Sequence, residues 1–394
     1  ALILGDNGAF FSHTVLSDDW DGKKQLFASL FGHLAPAIWP DIAKKALDSM
    51  TSIGHLKNLN EITEFFTHAK GAEFMKALRD AQELMQQAQT YYTQGTFVKA
   101  FDSANAAHNV LSEAYLLSHP SPDRESRALW NHSGTGAYPG DWDRSARELA
   151  AAGFNMIFPN MLWGGVAHYP SDVLPRSQIF TEYGDQIAQC VEAAHRHGLE
   201  VHVWKVNWNL YNAPDEFVAK MRKEGRTQVS RTGEPINWLC PSHPDNVQLE
   251  LDSLLEIVRK YDVDGIHLDY IRYPGPEACY CDGCRKRFTV AMGKKIRNWP
   301  ADVLKEGPLK NAYMKWRVEQ ITRLVRLVHE QARPLRPGLK ISAAVFGAYP
   351  QCVQNVGQDW VAWAKAGYVD FISPMDYTDD DGYFTRLVKR QLEL

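Results

Sequence analysis

The sequence predicts a (β/α)8 TIM-type barrel preceded by a helical region, and three observations predict it. From Arg127 onward, short apolar runs alternate about six times with amphipathic helical patterns, as in a parallel sheet wrapped by helices. Two of those helical patterns stop at Gly153 and Gly198, just before an apolar run begins. The apolar runs end in polar and aromatic residues, where barrel enzymes carry their chemistry. The competing architecture is an open doubly wound sheet, whose nucleotide-binding form needs G-x-G-x-x-G after its first strand. Here that loop reads His132-Ser133-Gly134-Thr135-Gly136-Ala137-Tyr138 and does not lead directly into a helix.

With 394 residues, 45% hydrophobic content and a net charge of −4, the chain can bury a large core in two or more domains. It has no basic excess for nucleic acid. It begins Ala1-Leu2-Ile3-Leu4 without methionine and shows no charged segment followed by a long apolar run, so neither a signal peptide nor a membrane span is read in this segment.

Residues 1–35 read as a strand, a loop with Ser12-His13-Thr14 and Asp18-Asp19, and a helix, the tail of an incomplete α/β domain. Ser12 and His13 are expected to be loop hydrogen-bonders rather than a catalytic pair. Residues 36–118 carry apolar positions at helical spacing, such as Ala100, Phe101, Ala104, Ala107, Val110 and Leu111, and predict a helical bundle or spacer with a turn at Gln94-Gly95-Thr96. The proline-broken stretch 119–126 is the linker.

The barrel is predicted over 127–394. Its strands fall near 127–131, 155–159, 200–206, 263–271, 340–346 and 370–375, with helices near 143–152, 183–197, 246–260, 313–332 and 359–366. Two strands are unaccounted for, so either the chain stops before closure or they lack a legible pattern. An excursion between the third and fourth strands, turning at Arg231-Thr232-Gly233-Glu234, is expected to rim the cleft.

The fourth strand, Val263 to Pro274, carries the central candidate. Period two places His267, Asp269 and Ile271 on one face and Ile266 and Leu268 on the other. Asp269, with Arg272 and Tyr273 nearby, can stay ionised as the carboxylate that attacks, stabilises positive charge or activates water; alternatively it pairs with Arg272 to hold the barrel mouth. Asp376, at the end of the last strand, is the candidate proton donor. Met375 and Tyr377 share the inward face, so Asp376 points inward only if the strand has already turned. His267 either orients Asp269 or is a satisfied core group. Asp264 precedes the strand at the barrel bottom, where it is expected to pair or cap.

The strand ends place indoles beside amides and charges: Trp130, Asn131, Asn160, Trp163, Trp204, Lys205, Asn207, Asn237, His267, Arg272, Tyr273 and Tyr377 are the candidate substrate contacts. Flat rings stack on sugar C–H faces and polar groups bind hydroxyls, so carbohydrate is the expected partner. The alternative is that the indoles wedge the barrel top shut.

Three of the six cysteines form Cys279-x-Cys281-x-x-Cys284. Three thiolates are one short of a tetrahedral zinc set, and Cys240, a histidine or an aspartate would complete it. A structural zinc knuckle and free thiols both stand. A catalytic zinc is not expected at these cysteines, because zinc enzymes of sugar chemistry favour histidine and carboxylate ligands, and carboxylate catalysis is expected to need no cofactor.

The segments Arg127-Ala128-Leu129-Trp130, Gly153-Phe154-Asn155, Val201-His202-Val203-Trp204, Asn237-Trp238-Leu239-Cys240-Pro241, Tyr261 to Tyr270, Arg272-Tyr273-Pro274 and Phe371 to Tyr377 resemble, in order and spacing, the glycosyl hydrolase-like family 10 proteins, bacterial barrel enzymes. A weaker likeness is to the family 18 chitinases, whose fourth strand reads D-G-x-D-x-D-x-E. Asp264, Gly265 and Asp269 match that pattern, but His267 and Ile271 replace two acids, and isoleucine cannot donate a proton. The resemblance to family 10 implies a glycoside hydrolase acting on a polysaccharide or cell-wall glycan, secreted or extracytoplasmic, at the periplasm or cell surface. The alternatives are a non-catalytic carbohydrate-binding barrel and a lyase-type enzyme using one acid and a tyrosine.

Overall fold

The structure, a computed structural model, describes residues 2–5, 8–11, 20–67, 72–118 and 125–394. The loop features at Ser12-His13-Thr14 and Asp18-Asp19, and most of the linker stretch 119–126, lie outside the described residues. The chain divides into two compact units, Ala1–Glu125 and Ser126–Leu394.

In the first unit, β1 (Leu2–Gly5) and β2 (Gly8–Phe11) pair antiparallel, with Leu2 opposite Phe11. This two-stranded ribbon replaces the single strand read from sequence: the glycines at 5 and 8 allow a reversal that apolar patterning does not reveal. Helices α1 (Trp20–Leu34), α2 (Trp39–Ser49), α3 (Leu59–Thr67), α4 (Ala72–Thr93) and α5 (Phe97–Leu117) follow. The α4–α5 hairpin turns at Gly95, whose φ of 74° favours glycine. Buried alanines at 88, 100 and 104 lie in one core cluster with Phe101, so the helices can approach closely.

The second unit is a run of β/α units. It opens with β3 (Ala128–Asn131), α6 (Trp142–Ala151), β4 (Met156–Trp163) and a short flap β5 (Val166–Ala167). Next come α7 (Gln178–Tyr183), α8 (Gln186–Arg196), β6 (Glu200–Val206) and α9 (Asp215–Lys223). A hairpin of β7 (Thr227–Val229) and β8 (Pro235–Leu239) precedes α10 (Pro244–Lys260) and β9 (Gly265–Asp269). The remainder is α11 (Asp282–Met292), α12 (Lys310–Leu335), β10 (Lys340–Val345), α13 (Gln351–Val356), α14 (Trp360–Lys365), β11 (Phe371–Pro374) and α15 (Asp381–Leu392). The helix expected over 183–197 is α8, and an additional short helix, α7, precedes it: Gly184 (φ 76°) ends α7 and Asp185 caps α8 through the amide of Ala188.

The main sheet runs β3-β4-β6-β9-β10-β11, every pair on that path parallel, with β5 folded back antiparallel on β4. Its register sets Val203 beside Ile266 and Ile266 beside Ile341, and these outward residues join the core beneath the helices. The sheet is strongly curled. Phe371 on β11 meets Phe158 on β4 at 6.4 Å between ring centroids and His202 on β6 at 5.6 Å. In a flat sheet β4 and β11, four strands apart, would be separated by about 19 Å. The chain therefore has TIM-barrel architecture, six parallel strands of it among the described residues. Gly265 makes room for the curl, since a Cβ there would lie 2.3 Å from Nδ1 of His202.

Strand β4 carries a bulge. Asn160 lies beside Trp204, but Leu162 lies beside Lys205, so Met161 is an extra residue. Met161 and Leu162 both join the outer core, and Trp163 returns to the concave side. Among the described residues no helix is long and apolar enough to cross a membrane.

Candidate active site

The concave face holds a small apolar cluster of Met156, Phe158, Trp204 and Val206, packed with Trp163, Tyr270 and Phe371. Below the mouth this face is sealed by His267. The indole Nε1 of Trp130 donates to Nε2 of His267 at 3.2 Å, and an indole N–H can only donate. The other imidazole nitrogen, Nδ1, therefore carries the proton and gives it to Ser342 Oγ at 2.8 Å. Burial, with His202 nearby, pushes the His267 pKa down to about 3, so the ring is neutral. His267 is fully buried and bonds to Trp130 and Ser342, which corrects its reading as a substrate contact or as the residue orienting Asp269.

Asp269 sits at the end of β9, only 6% exposed. Its Oδ2 accepts from Trp204 Nε1 at 3.1 Å and its Oδ1 from the amide of Tyr270 at 2.6 Å. Among the described residues no ion pair joins Asp269 to Arg272, so the paired alternative is not what holds it. Burial pushes the Asp269 pKa up to about 6, against the opposing pull of the Tyr270 amide, the Arg272 charge, Trp204 and His132. The acid is thus poised to gain or lose a proton rather than held permanently ionised as the sequence suggested.

Tyr270 has φ of 52° and Trp208, beyond the end of β6, has φ of 65°, a left-handed geometry that is rare for aromatic residues. In each case a carboxylate accepts the residue's own amide: Asp269 for Tyr270, and Glu250 Oε1 for Trp208 at 3.0 Å. Such backbone strain costs on the order of 1–3 kcal/mol per residue and clusters at functional sites.

Around the acid, the Trp204 ring stands edge-on to His132 at 4.7 Å. The Arg272 guanidinium lies 4.6 Å from the Tyr270 ring, 5.0 Å from Phe346 and 5.5 Å from Trp238, a three-sided aromatic cage. Tyr377 is 88% exposed and within reach of the Asp269 charge. Trp130 shows part of its ring to solvent. Trp163 Nε1 donates to Asn160 Oδ1 at 2.6 Å, which places this pair together on the concave side as the bulge requires.

Several predicted contacts lie elsewhere. Lys205 and Asn207 are fully buried on the outer side, where Lys205 Nζ is 3.5 Å from Glu250 Oε2 and Asn207 Nδ2 donates to the same oxygen at 2.6 Å. Strand alternation explains this correction: Trp204 and Val206 face in, so Lys205 and Asn207 face out. Tyr273 is also fully buried, with Arg317 stacked on its ring at 4.2 Å, so it is core rather than a substrate contact. Asn131 Oδ1 accepts from the amide of Gly136 at 3.1 Å and staples its loop, while Asn237 Oδ1 accepts from Arg222 at 2.6 Å on the surface. The Asp376 carboxylate accepts from Gln391 Nε2 of α15 at 2.8 and 3.0 Å, and Phe371, two-residue steps from Met375, is the inward-facing residue of its strand. Glu250 is the contributor that sequence patterning did not weigh, and His132 and Tyr270, at strand ends, add to the surroundings of the acid. Asp264 lies at the sheet bottom, accepting from His195 Nε2 and the Val201 amide, both at 2.8 Å.

A second cluster lies beside the mouth. Cys240, which follows β8, meets Cys279, Cys281 and Cys284, all buried, with the four sulfurs within 4.8 Å of one another. Cys281 caps α11, its sulfur accepting from the Cys284 amide at 3.3 Å, and Arg287 reaches Cys240 Sγ at 3.7 Å. Helix N-terminus and guanidinium both favour anionic sulfur.

A curled sheet of β/α units with a buried, proton-poised carboxyl and aromatic rings at its C-terminal mouth belongs to the class of TIM-barrel glycosidase-like proteins. The glycoside hydrolase domain of PgaB (BpsB) from Bordetella bronchiseptica shares the fold at a TM-score of 0.50, with 14% identity over 68% of this chain and 82% of that one. The family model described as Glycosyl hydrolase-like 10 matches residues 141–392, more than half of the chain, and the chain belongs to that family. Curated relatives include glycosyl hydrolase YngK of Bacillus subtilis, 21% identical over 66% of this chain, and glycosyl hydrolase DigH of Escherichia coli, 22% identical over 58% of it. The chain spans 56% of the length of each.

Proposed function

We propose that this chain is the catalytic barrel region of a glycoside hydrolase acting on a polysaccharide or cell-wall glycan, with Asp269 as the carboxyl that protonates the glycosidic oxygen. The observation that carries this reading is a carboxyl buried at the strand-end mouth, hydrogen-bonded through both oxygens, without an ion pair among the described residues, and pushed by burial up to a pKa of about 6. A glycosidic acid needs that raised pKa. The partly exposed rings of Trp130 and Trp238 and the caged Arg272 supply flat faces and a cation for a sugar chain. Such a substrate puts the protein outside the cytoplasm.

Asp376, held by Gln391 and off the inward parity of Phe371 and Met375, is the candidate for the second carboxyl that the Asp376→Asn variant tests. The test is hydrolysis of a panel of soluble glycans and glycan strands by Asp269→Asn and Asp376→Asn. Asp269→Asn is expected to lose at least about a thousandfold in kcat while still binding glycan. Unchanged turnover in that variant would sink the assignment, and binding without hydrolysis by the unsubstituted protein would leave the carbohydrate-binding barrel.

We also read the four-cysteine cluster as a structural zinc site. A regular tetrahedron with Zn–S bonds of about 2.3 Å has S···S edges of about 3.8 Å. The Cys240–Cys281 and Cys240–Cys284 separations are 3.8 and 3.4 Å, near such edges and far from a disulfide bond. Catalysis in this proposal draws on no cofactor.

A further inference from the structure

We propose that zinc at Cys240, Cys279, Cys281 and Cys284 acts as a clamp that docks the β7–β8 hairpin onto the loop after β9, and so fixes the Trp238–Arg272 stack beside Asp269. The inference rests on the zinc reading above and adds a positioning role for the mouth.

The ligands come from two separate segments. Cys240 follows β8 two residues after Trp238, whereas Cys279 and Cys281 lie in the loop that begins at Tyr270 and Arg272, and Cys284 lies in the first turn of α11. Between the end of β9 at Asp269 and the start of α11 at Asp282, the chain forms no helix or strand of its own. A loop of that length next to a reacting centre needs anchors. Its backbone touches the hairpin at an isolated bridge, Ser230 with Ala278, and through the Tyr280 amide on Val229 O at 2.8 Å and the Arg231 amide on Glu277 O at 3.0 Å. The Arg231–Glu277 ion pair at the same edge is exposed and adds little.

The sulfurs are the buried link between the same two segments. Cys240 sulfur meets those of Cys281 and Cys284 across a sequence gap of more than forty residues, and all four side chains are buried. The surroundings suit a dianionic metal tetrathiolate. Ser242 Oγ lies 3.2 Å from Cys240 Sγ and 3.3 Å from Cys284 Sγ, and Arg287 donates to both Ser242 and Cys240. Arg317, almost fully buried, donates to the carbonyls of Gly275 and Ala278, and Tyr313 donates to that of Cys279. Both hold the loop so that its cysteines face Cys240.

The consequence reaches the mouth because the cage straddles the clamp. Trp238 belongs to the hairpin, while Tyr270 and Arg272 belong to the loop, and the Trp238 and Tyr270 rings pack at 5.4 Å. If the two segments separate, the cage opens and Arg272 no longer faces Asp269 from a fixed distance.

The test uses the purified protein and needs no glycan. Metal content is measured first, followed by exchange for cobalt, whose tetrahedral tetrathiolate has intense visible bands. Backbone hydrogen exchange is then compared before and after stripping with chelator and a phosphine reductant. The expected result is one zinc per chain, with the amides of Leu239, Tyr280 and Arg231 exchanging at least about tenfold faster after stripping while those of β9 and α12 keep their protection. Cys281→Ser, which leaves three ligands, is expected to give the same pattern more weakly. Zinc present with unchanged exchange in both segments would overturn the clamp and leave the zinc reading intact. Exchange rising uniformly across the second unit would also overturn it, because the metal would then support the whole fold. Absence of zinc, or recovery of the four thiols as disulfides, would overturn both.

Discussion

Trp204 Nε1 donates to Asp269 Oδ2 across 3.1 Å, so one strand tempers the proton affinity that burial raises in the acid carried by its neighbour. Trp204→Phe keeps the ring and deletes the donor. Losing a hydrogen bond to the charged form raises the Asp269 pKa further. With Asp269 as proton donor, activity falls as pH rises through about 6, and Trp204→Phe should move that falling limb upward by roughly half a unit to one unit. The pH profile of kcat/KM checks this, and a limb that rises through the same region would reassign Asp269 as base or nucleophile.

The same raised pKa makes a stability prediction. The folded pKa of about 6 lies above the ordinary 3.8, so the protonated acid favours the folded state. Its contribution is fully present below about pH 4 and lost as pH rises through 6, a total of roughly 3 kcal/mol. Asp269→Asn removes this dependence. Between about pH 5 and pH 8 its unfolding free energy should improve relative to the parent by about 1–1.5 kcal/mol. Denaturant melts at both pH values measure the difference, and parallel curves would contradict the buried, unpaired description of this acid.

Lys205 and Glu250 form a fully buried pair behind the sheet, with Asn207 and the Trp208 amide on the same carboxylate. Removing one partner leaves an uncompensated buried charge. Lys205→Met or Glu250→Gln alone should cost about 3–5 kcal/mol, and the double variant clearly less than the sum. A double-mutant cycle by chemical denaturation tests the coupling.

His267 should stay neutral with its proton on Nδ1 from about pH 5 to pH 8. Nitrogen NMR of selectively labelled protein reads the tautomer directly. Trp130→Phe would free Nε2, and a tautomer mixture is the expected result.

Much of the barrel region was legible in sequence because the strands of the main sheet are short apolar runs set between helical patterns, as at Gly265–Asp269, which closes on an acid, and Lys340–Val345, which closes on a valine. Alternation also held the information that Lys205 and Asn207 face away from the mouth, since Trp204 sits between strands on the concave side. Asp269, Trp204 and Arg272 were legible as strand-end candidates and lie together in the structure, whereas the hydrogen bonds and backbone turn that hold them were not. The left-handed turn at Tyr270 has no residue signature, because the strain is held by the Asp269 carboxylate rather than relieved by a glycine. Glu250 was hidden for a different reason. It lies on a helix whose apolar stripe suggests only core, and its partners arrive from another strand.

The extra residue in β4 has a consequence for how relatives are aligned. Up to Asn160 even-numbered positions line the concave wall, and from Trp163 odd-numbered ones do. A gap placed one residue away from Met161 exchanges the two walls over part of the strand, pairing solvent-shielded methionine or leucine with positions that face the concave side. At 21% or 22% identity to curated relatives, an alignment of this chain is therefore better anchored on the spacing of Asn160 and Trp163 than on residue identity within the bulge.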